Sequence, residues 1–159
     1  YLMNRFLKKI LNGSQNRQEN ISSPFKSNNE KKIQIAACAL LVEIGKADRN
    51  FTDDERVKII SIMENTFNVG EDYVNELIEL SEKNFDENES IYEYTTIINN
   101  SFTNDEKFEL LKNIWRLIYT DDNLSRYEEH LVKMIGTLLN IEYTNIIGAK
   151  LLIKEELNK

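Results

Sequence analysis

The chain has 159 residues and a formal net charge of −7, with one cysteine and one histidine. This length suits one domain. The lone cysteine excludes an intrachain disulfide and a cysteine-based zinc cluster, and the lone histidine excludes a di-iron site that needs Glu-x-x-His on two helices.

The first predicted element is a short basic amphipathic helix over residues 2–12. Its apolar stripe and the basic residues beside it are Leu2, Met3, Phe6, Leu7, Ile10 and Leu11, with Arg5, Lys8 and Lys9. Such a helix packs on protein or lies at a membrane surface. Packing on protein, in this chain or a neighbour, is favoured because one short helix is a weak anchor. Residues 13–26 are polar and contain the only proline, which predicts a linker.

Charge and hydropathy indicate the kind of partner and the compartment. Residues 1–32 carry seven basic and two acidic residues, a net of +5, which leaves −12 on the remainder. An acidic body repels phosphate, so nucleic acid is not an expected partner, whereas cations and basic proteins are compatible. No apolar run reaches the ~20 residues of a membrane span and no secretory signal pattern is present. A cytoplasmic protein is therefore expected.

Residues 27–159 are predicted to form one helical domain. A capping box places Ser or Thr before a helix and Glu three residues later, and each side chain pairs with a backbone N–H that the helix start leaves unpaired. It occurs at Ser27–Glu30, Thr52–Glu55, Ser90–Glu93, Thr103–Glu106 and Ser125–Glu128. With apolar residues recurring at three and four, it predicts an all-α bundle of about seven core helices, near residues 28–48, 53–67, 71–84, 91–101, 104–121, 126–140 and 142–157.

An internal repeat relates the two halves of this domain. A shift of 73 residues aligns residues 47–55 (ADRNFTDDE) with residues 120–128 (TDDNLSRYE). The shared pattern is Asp-x-Asn-apolar-[Ser/Thr]-x-x-Glu, and in both copies it joins a long apolar helix to an amphipathic one. The repeat predicts a pseudo-twofold bundle in which the helices near 28–48 and 104–121 pack together at its centre.

These corners resemble those of the TerB (tellurite resistance protein B) family. Members show an apolar-Ala-Asp-Gly-x-apolar-x-x-x-Glu corner twice, with helices between. The matching segments are residues 41–55, 91–111 and 114–128. The resemblance covers roughly residues 30–140 and departs from the family where Gly is replaced by Arg49 and Asp122. It implies a non-enzymatic module connected with tellurite or metal-ion stress, with an acidic, metal-binding surface.

The acidic corners are the constellation that suggests a ligand. Asp48 and Asp121 are expected where the long helices end, and Glu55 and Glu128 where the next helices begin. If the twofold packing brings these four carboxylates together, their oxygens suit a hard divalent cation, calcium or magnesium. An EF-hand is excluded, because its loop requires Gly at the sixth position and Glu at the twelfth. These positions hold Asp53 and Ile59 in the first copy, and Arg126 and Val132 in the second.

The competing interpretation needs no metal. Glu55 and Glu128 already have a capping role, and Asp48 and Asp121 can bond turn amides. The protein's own counter-charges would then be basic side chains nearby in sequence, namely Lys46, Arg49, Arg116 and Arg126.

No catalytic set is recognisable, and no enzyme is predicted. His130 is expected to be solvated or partly packed, and Cys38 to be a small buried hydrophobe on an apolar helix. Two interpretations remain. One is a TerB-like stress-response module that binds a divalent cation and acts through protein partners. The other is a structural or adaptor domain without metal, tethered by residues 2–12.

Overall fold

The computed structural model describes residues 28–47, 51–83, 87–120 and 125–158, and all regular structure in these ranges is helical. Its helices are α1 (Asn28–Gly45), α2 (Asp53–Phe67), α3 (Glu71–Lys83), α4 (Glu87–Ser101), α5 (Asn104–Ile118), α6 (Arg126–Leu138) and α7 (Tyr143–Glu156). The predicted all-α class with seven core helices is confirmed. The predicted helix over residues 2–12 and the linker over residues 13–26 lie outside the described residues.

Two helix starts show the complete predicted capping box, and a third shows its hydroxyl bond. At α2, the Thr52 hydroxyl accepts a hydrogen bond from the Glu55 backbone N–H at 3.2 Å, and the Glu55 carboxylate accepts one from the Thr52 N–H at 3.3 Å. At α5, Thr103 forms the same reciprocal pair with the residue three positions on. At α6, the Ser125 hydroxyl accepts from the Glu128 N–H at 3.1 Å. The local signals at these starts therefore place the helices correctly.

The start of α4 differs from its prediction. The helix begins at Glu87, so Ser90 lies in its first turn and not at its N-cap. The Ser-x-x-Glu pattern is a pair of residues one turn apart, and it fits inside a helix as well as at its start. Sequence spacing alone does not distinguish the two placements.

The two long helices end earlier than predicted. They end at Gly45 and Ile118, each three residues before the aspartate expected there. In both cases the chain leaves the helix through a tighter i→i+3 hydrogen bond, from Ala47 N–H to Ile44 at 3.1 Å and from Thr120 N–H to Leu117 at 3.1 Å. Such a bond uses one of the carbonyls that a helix end leaves unpaired.

The core is built around α1. Every residue from 34 to 45 is buried, and α1 packs against α2, α3, α4, α5 and α6. Ala36, Ala37 and Ala39 allow these neighbours to approach closely. The second central helix, α5, contributes Leu111, Ile114 and Trp115, which have no exposed surface. No helix in the described ranges is both long enough and apolar enough to cross a membrane.

Helix packing follows the internal repeat. The contacts α1–α2, α1–α3 and α2–α3 correspond to α5–α6, α5–α7 and α6–α7, and α2–α5 corresponds to α1–α6. The long helices α1 and α5 touch each other, as predicted. The repeat extends beyond the pair of helices that the sequence indicated, because α3 and α7 end at Lys83 and Glu156, which are also 73 residues apart. Helix α4 has no counterpart and packs on α1 and α6.

Candidate functional site

The first acidic corner is formed by the end of α1 and the start of α2. Glu55 is only 6% exposed, and its Oε1 accepts a hydrogen bond from the Thr52 hydroxyl at 3.0 Å. Its Oε2 lies against the last residue of α1, since a Cβ placed on Gly45 would be 3.3 Å from it. That Cβ would also lie 2.7 Å from a ring carbon of Phe51. Glycine is therefore what allows the ring and the carboxylate to close over the helix end.

The second corner repeats the arrangement around Glu128. This residue is 5% exposed and occupies the third position of α6, as Glu55 does in α2. Its Oε1 accepts a hydrogen bond from the Ser125 hydroxyl at 3.0 Å. The sequence correctly placed both glutamates at helix starts. It did not show that both carboxylates are buried, because burial depends on how neighbouring helices cover them.

The aspartates of the predicted site, Asp48 and Asp121, lie outside the described residues. The meeting of all four carboxylates therefore stays a prediction. Among the residues that are described, no group of three or more Asp, Glu, His or Cys is placed to hold a metal ion. One suggested counter-charge is directed elsewhere: the Arg116 guanidinium donates to both carboxylate oxygens of Glu156, at 2.7 and 2.8 Å.

Two residues considered for chemistry have ordinary structural settings. His130 is exposed on α6. Cys38 is fully buried in α1, and burial raises the pKa of its thiol to about 12. A thiol held in the neutral form is a poor nucleophile and a poor metal ligand. Both placements agree with the sequence predictions.

A groove lies between α2 and α5, and no sequence pattern had indicated it. It has a volume of about 700 Å³, within the range of ligand-binding clefts. Its floor is apolar and consists of Ile62, Phe67, Phe102 and Leu110. The Phe67 and Phe102 rings are 6.3 Å apart and tilted by 42°.

The rim of this α2–α5 groove is charged. Asp105, Glu106 and Glu109 line it along the first half of α5, and Lys58 and Arg116 line its other end. The groove arises from two helices that meet far apart in sequence. The sequence signal that could have indicated the groove is a pair of phenylalanines, one at the end of α2 and the other shortly before α5.

Within the described residues, the fold and its duplicated capped corners define an all-α bundle built from two three-helix units and one additional helix. The sequence model of the TerB family, described as tellurite resistance protein TerB, matches residues 34–151. Because this match covers most of the chain, the chain belongs to the TerB family, which is generally a non-catalytic helical domain. Comparisons with curated proteins and with solved structures return no match.

Proposed function

We propose that this chain is a non-enzymatic TerB module that binds a divalent cation, calcium or magnesium, at its acidic corners. It would act in the cytoplasm through protein partners, in a stress response related to tellurite or metal ions. The observation that carries the proposal is the burial of Glu55 and Glu128 at equivalent places in the two copies.

Burial raises the free-energy cost of keeping these two carboxylates ionised. A buried carboxylate loses hydration and must be compensated by hydrogen bonds or positive charge. The cap hydroxyl and the backbone N–H of Thr52 each donate a hydrogen bond to Glu55 Oε1. Glu55 Oε2 faces the C-terminal end of α1, where helix carbonyls carry partial negative charge. A cation at this place would add to the compensation that these hydrogen bonds provide and would offset the negative end of the helix.

The remaining ligands would come from the two aspartates. Asp48 and Asp121 follow the ends of α1 and α5 by three residues in each copy, so the same short turn separates each from its helix. With Glu55 and Glu128 they would present carboxylate oxygens, the donors that calcium and magnesium prefer. The geometry that joins the two corners is part of the proposal.

Thermal unfolding with each cation tests the proposal. At a free cation concentration of 100 Kd, binding to the native state adds about 2.7 kcal/mol, which raises the melting temperature by roughly 5–10 °C in a protein of this size. In Asp48→Asn with Asp121→Asn the cation-dependent shift should disappear. The matched control is Asp53→Asn with Asp54→Asn, which removes two exposed carboxylates from the same corner and should keep the shift.

The second candidate function is that of an adaptor domain without metal. It is favoured by the hydroxyl contacts, since Thr52 and Ser125 already engage one oxygen of each buried glutamate. A wild-type melting temperature that does not respond to calcium, magnesium, manganese or zinc would reject the cation site and select this candidate.

A further inference from the structure

We propose that the α2–α5 groove is the docking site for the basic amphipathic segment of this same chain, residues 2–12. The occupant is identified by apolar pattern, charge and reach. The proposal is independent of the proposed cation site, which lies at the start of α2, whereas the groove lies along residues 58–67 of that helix.

The floor of the groove matches the apolar stripe of the segment. Phe67 and Phe102 are half-buried, and with the buried Ile62 and Leu110 beneath them they form the apolar lining of a concavity of about 700 Å³. Residues 2–12 carry six apolar side chains at spacings of three and four. An amphipathic helix that lays such a stripe into an apolar groove is a common mode of recognition. Docking would also stabilise a helix that is too short to persist alone in water.

The acidic end of the groove rim, along the first half of α5, matches the charge of the segment, whereas Lys58 and Arg116 at the other end do not. Asp105 and Glu109 are exposed groove residues four positions apart on α5, so they lie one above the other on one face of the helix. Arg5 and Lys9 have the same spacing of four in the segment. Two helices laid side by side would therefore pair two basic residues with two acidic ones, and Glu109 would share its carboxylate with Lys112, which contacts it at 2.7 Å. The whole chain shows the same complementarity, with +5 on residues 1–32 and −12 on the remainder.

The connecting chain is long enough for docking within one molecule. Fifteen residues, 13–27, separate the segment from the first residue of α1, and an extended chain of that length spans up to about 50 Å. A domain of this size is roughly 35 Å across, so a linker that runs over its surface reaches most of that surface. Tethering would also give the segment a millimolar effective concentration at the groove.

A second apolar surface is a weaker receptor. On α7, Leu151 and Leu152 are 59% and 50% exposed, but neither lines the α2–α5 groove. Lys154 lies on the same helix and would repel a basic segment. This α7 face serves as a comparison surface in the test.

The test measures the distance between two spin labels in the full chain. One label is attached at Asn4→Cys on the polar side of the segment, and the other at Glu64→Cys, an exposed position on α2 outside the groove lining. Cys38 is buried and should stay unlabelled. We expect one short, narrow distance distribution, which broadens in Asp105→Lys with Glu109→Lys.

Matched variants distinguish charge pairing from unfolding. Adding Arg5→Glu and Lys9→Glu to the groove double variant should restore the narrow distribution, because the pairs are then reversed. Asp72→Lys with Glu79→Lys reverses two exposed carboxylates on α3 and should leave the distribution narrow.

Four results would overturn the proposal. The first is a broad distribution in the wild type at low salt. The second is a short distance seen between singly labelled molecules in a mixture, which would make a second copy the receptor. The third is a narrow distribution lost in Leu151→Ser with Leu152→Ser but kept in the groove variant. The fourth is the absence of a short distance in solution together with binding to phosphatidylserine vesicles in a flotation assay. If this binding requires residues 2–12, the segment docks on a membrane and not in the groove.

Discussion

Cys38 shows how burial determines the chemistry of one side chain. It has no exposed surface, and desolvation raises the pKa of its thiol to about 12. Because the thiolate is the reactive form, we expect a thiol reagent at pH 8 to leave the native protein unmodified and to label one thiol after denaturation. Labelling of the native protein at the rate of a free thiol would contradict this placement.

Two glycines in helix interiors form a matched pair for testing the packing. A Cβ at Gly136 of α6 would lie 2.7 and 2.8 Å from two side-chain carbons of the fully buried Ile146, whereas a Cβ at Gly148 of α7 would meet nothing within 4 Å. Alanine gains up to ~1 kcal/mol of helix propensity over glycine at either place. We therefore expect Gly148→Ala to raise the free energy of unfolding in urea by about 0.5–1 kcal/mol.

At Gly136 the added methyl must displace a buried side chain, and overpacking of this kind costs about 1–3 kcal/mol. Gly136→Ala should therefore destabilise the protein despite the better propensity. Equal stabilisation by both substitutions would show that α6 and α7 do not approach as closely as the structure has them.

At the scale of the helix, the capping boxes contribute to stability through local hydrogen bonds. Thr52 accepts from the Glu55 N–H and donates to the Glu55 carboxylate. Thr52→Ala should lower the free energy of unfolding by about 1 kcal/mol, and Thr52→Ser should retain most of the stability because it keeps the hydroxyl. Urea unfolding of both variants provides the measurement. A loss as large in the serine variant would indicate that the methyl group of Thr52 matters more than its hydroxyl.

The helices could be predicted from sequence because their signals are local. Three helix starts are marked by a hydroxyl that accepts a hydrogen bond from the N–H three residues later, at Thr52, Thr103 and Ser125. Ser90 carries the same local signal but lies inside α4, so the choice depends on surroundings that the pattern does not contain. The burial of Glu128 and the groove floor at Phe67 and Phe102 result from packing between distant segments. They could not be derived from spacing.

At the scale of the whole molecule, the repeat explains the position of α7. Helix α7 packs on α5 and α6 as α3 packs on α1 and α2. Ion pairs attach it to both neighbours: Lys150 contacts Glu129 of α6, and Glu156 contacts Arg116 of α5. The Lys150 ammonium also lies 5.7 Å from the centre of the Trp115 ring. The third helix of the second unit is thus held by charge as well as by its buried face.

These ion pairs predict an acid-sensitive contribution to stability. The hydrogen bond from Lys150, more than any other cause, holds the pKa of Glu129 below its ordinary value. A carboxylate whose pKa is lower in the folded state stabilises the protein fully above the unfolded-state pKa, near 4.3, and loses that contribution as the pH falls through the folded-state pKa. The free energy of unfolding, measured in urea, should therefore be higher for the wild type than for Glu129→Gln at pH 7. As the pH is lowered to 2.5, this difference should shrink below about pH 4. Glu155→Gln, at an exposed position on α7, is the matched control and should follow the wild-type curve. A difference between wild type and Glu129→Gln that stays constant through the acid range would mean that the Lys150 contact does not act through the charge of Glu129.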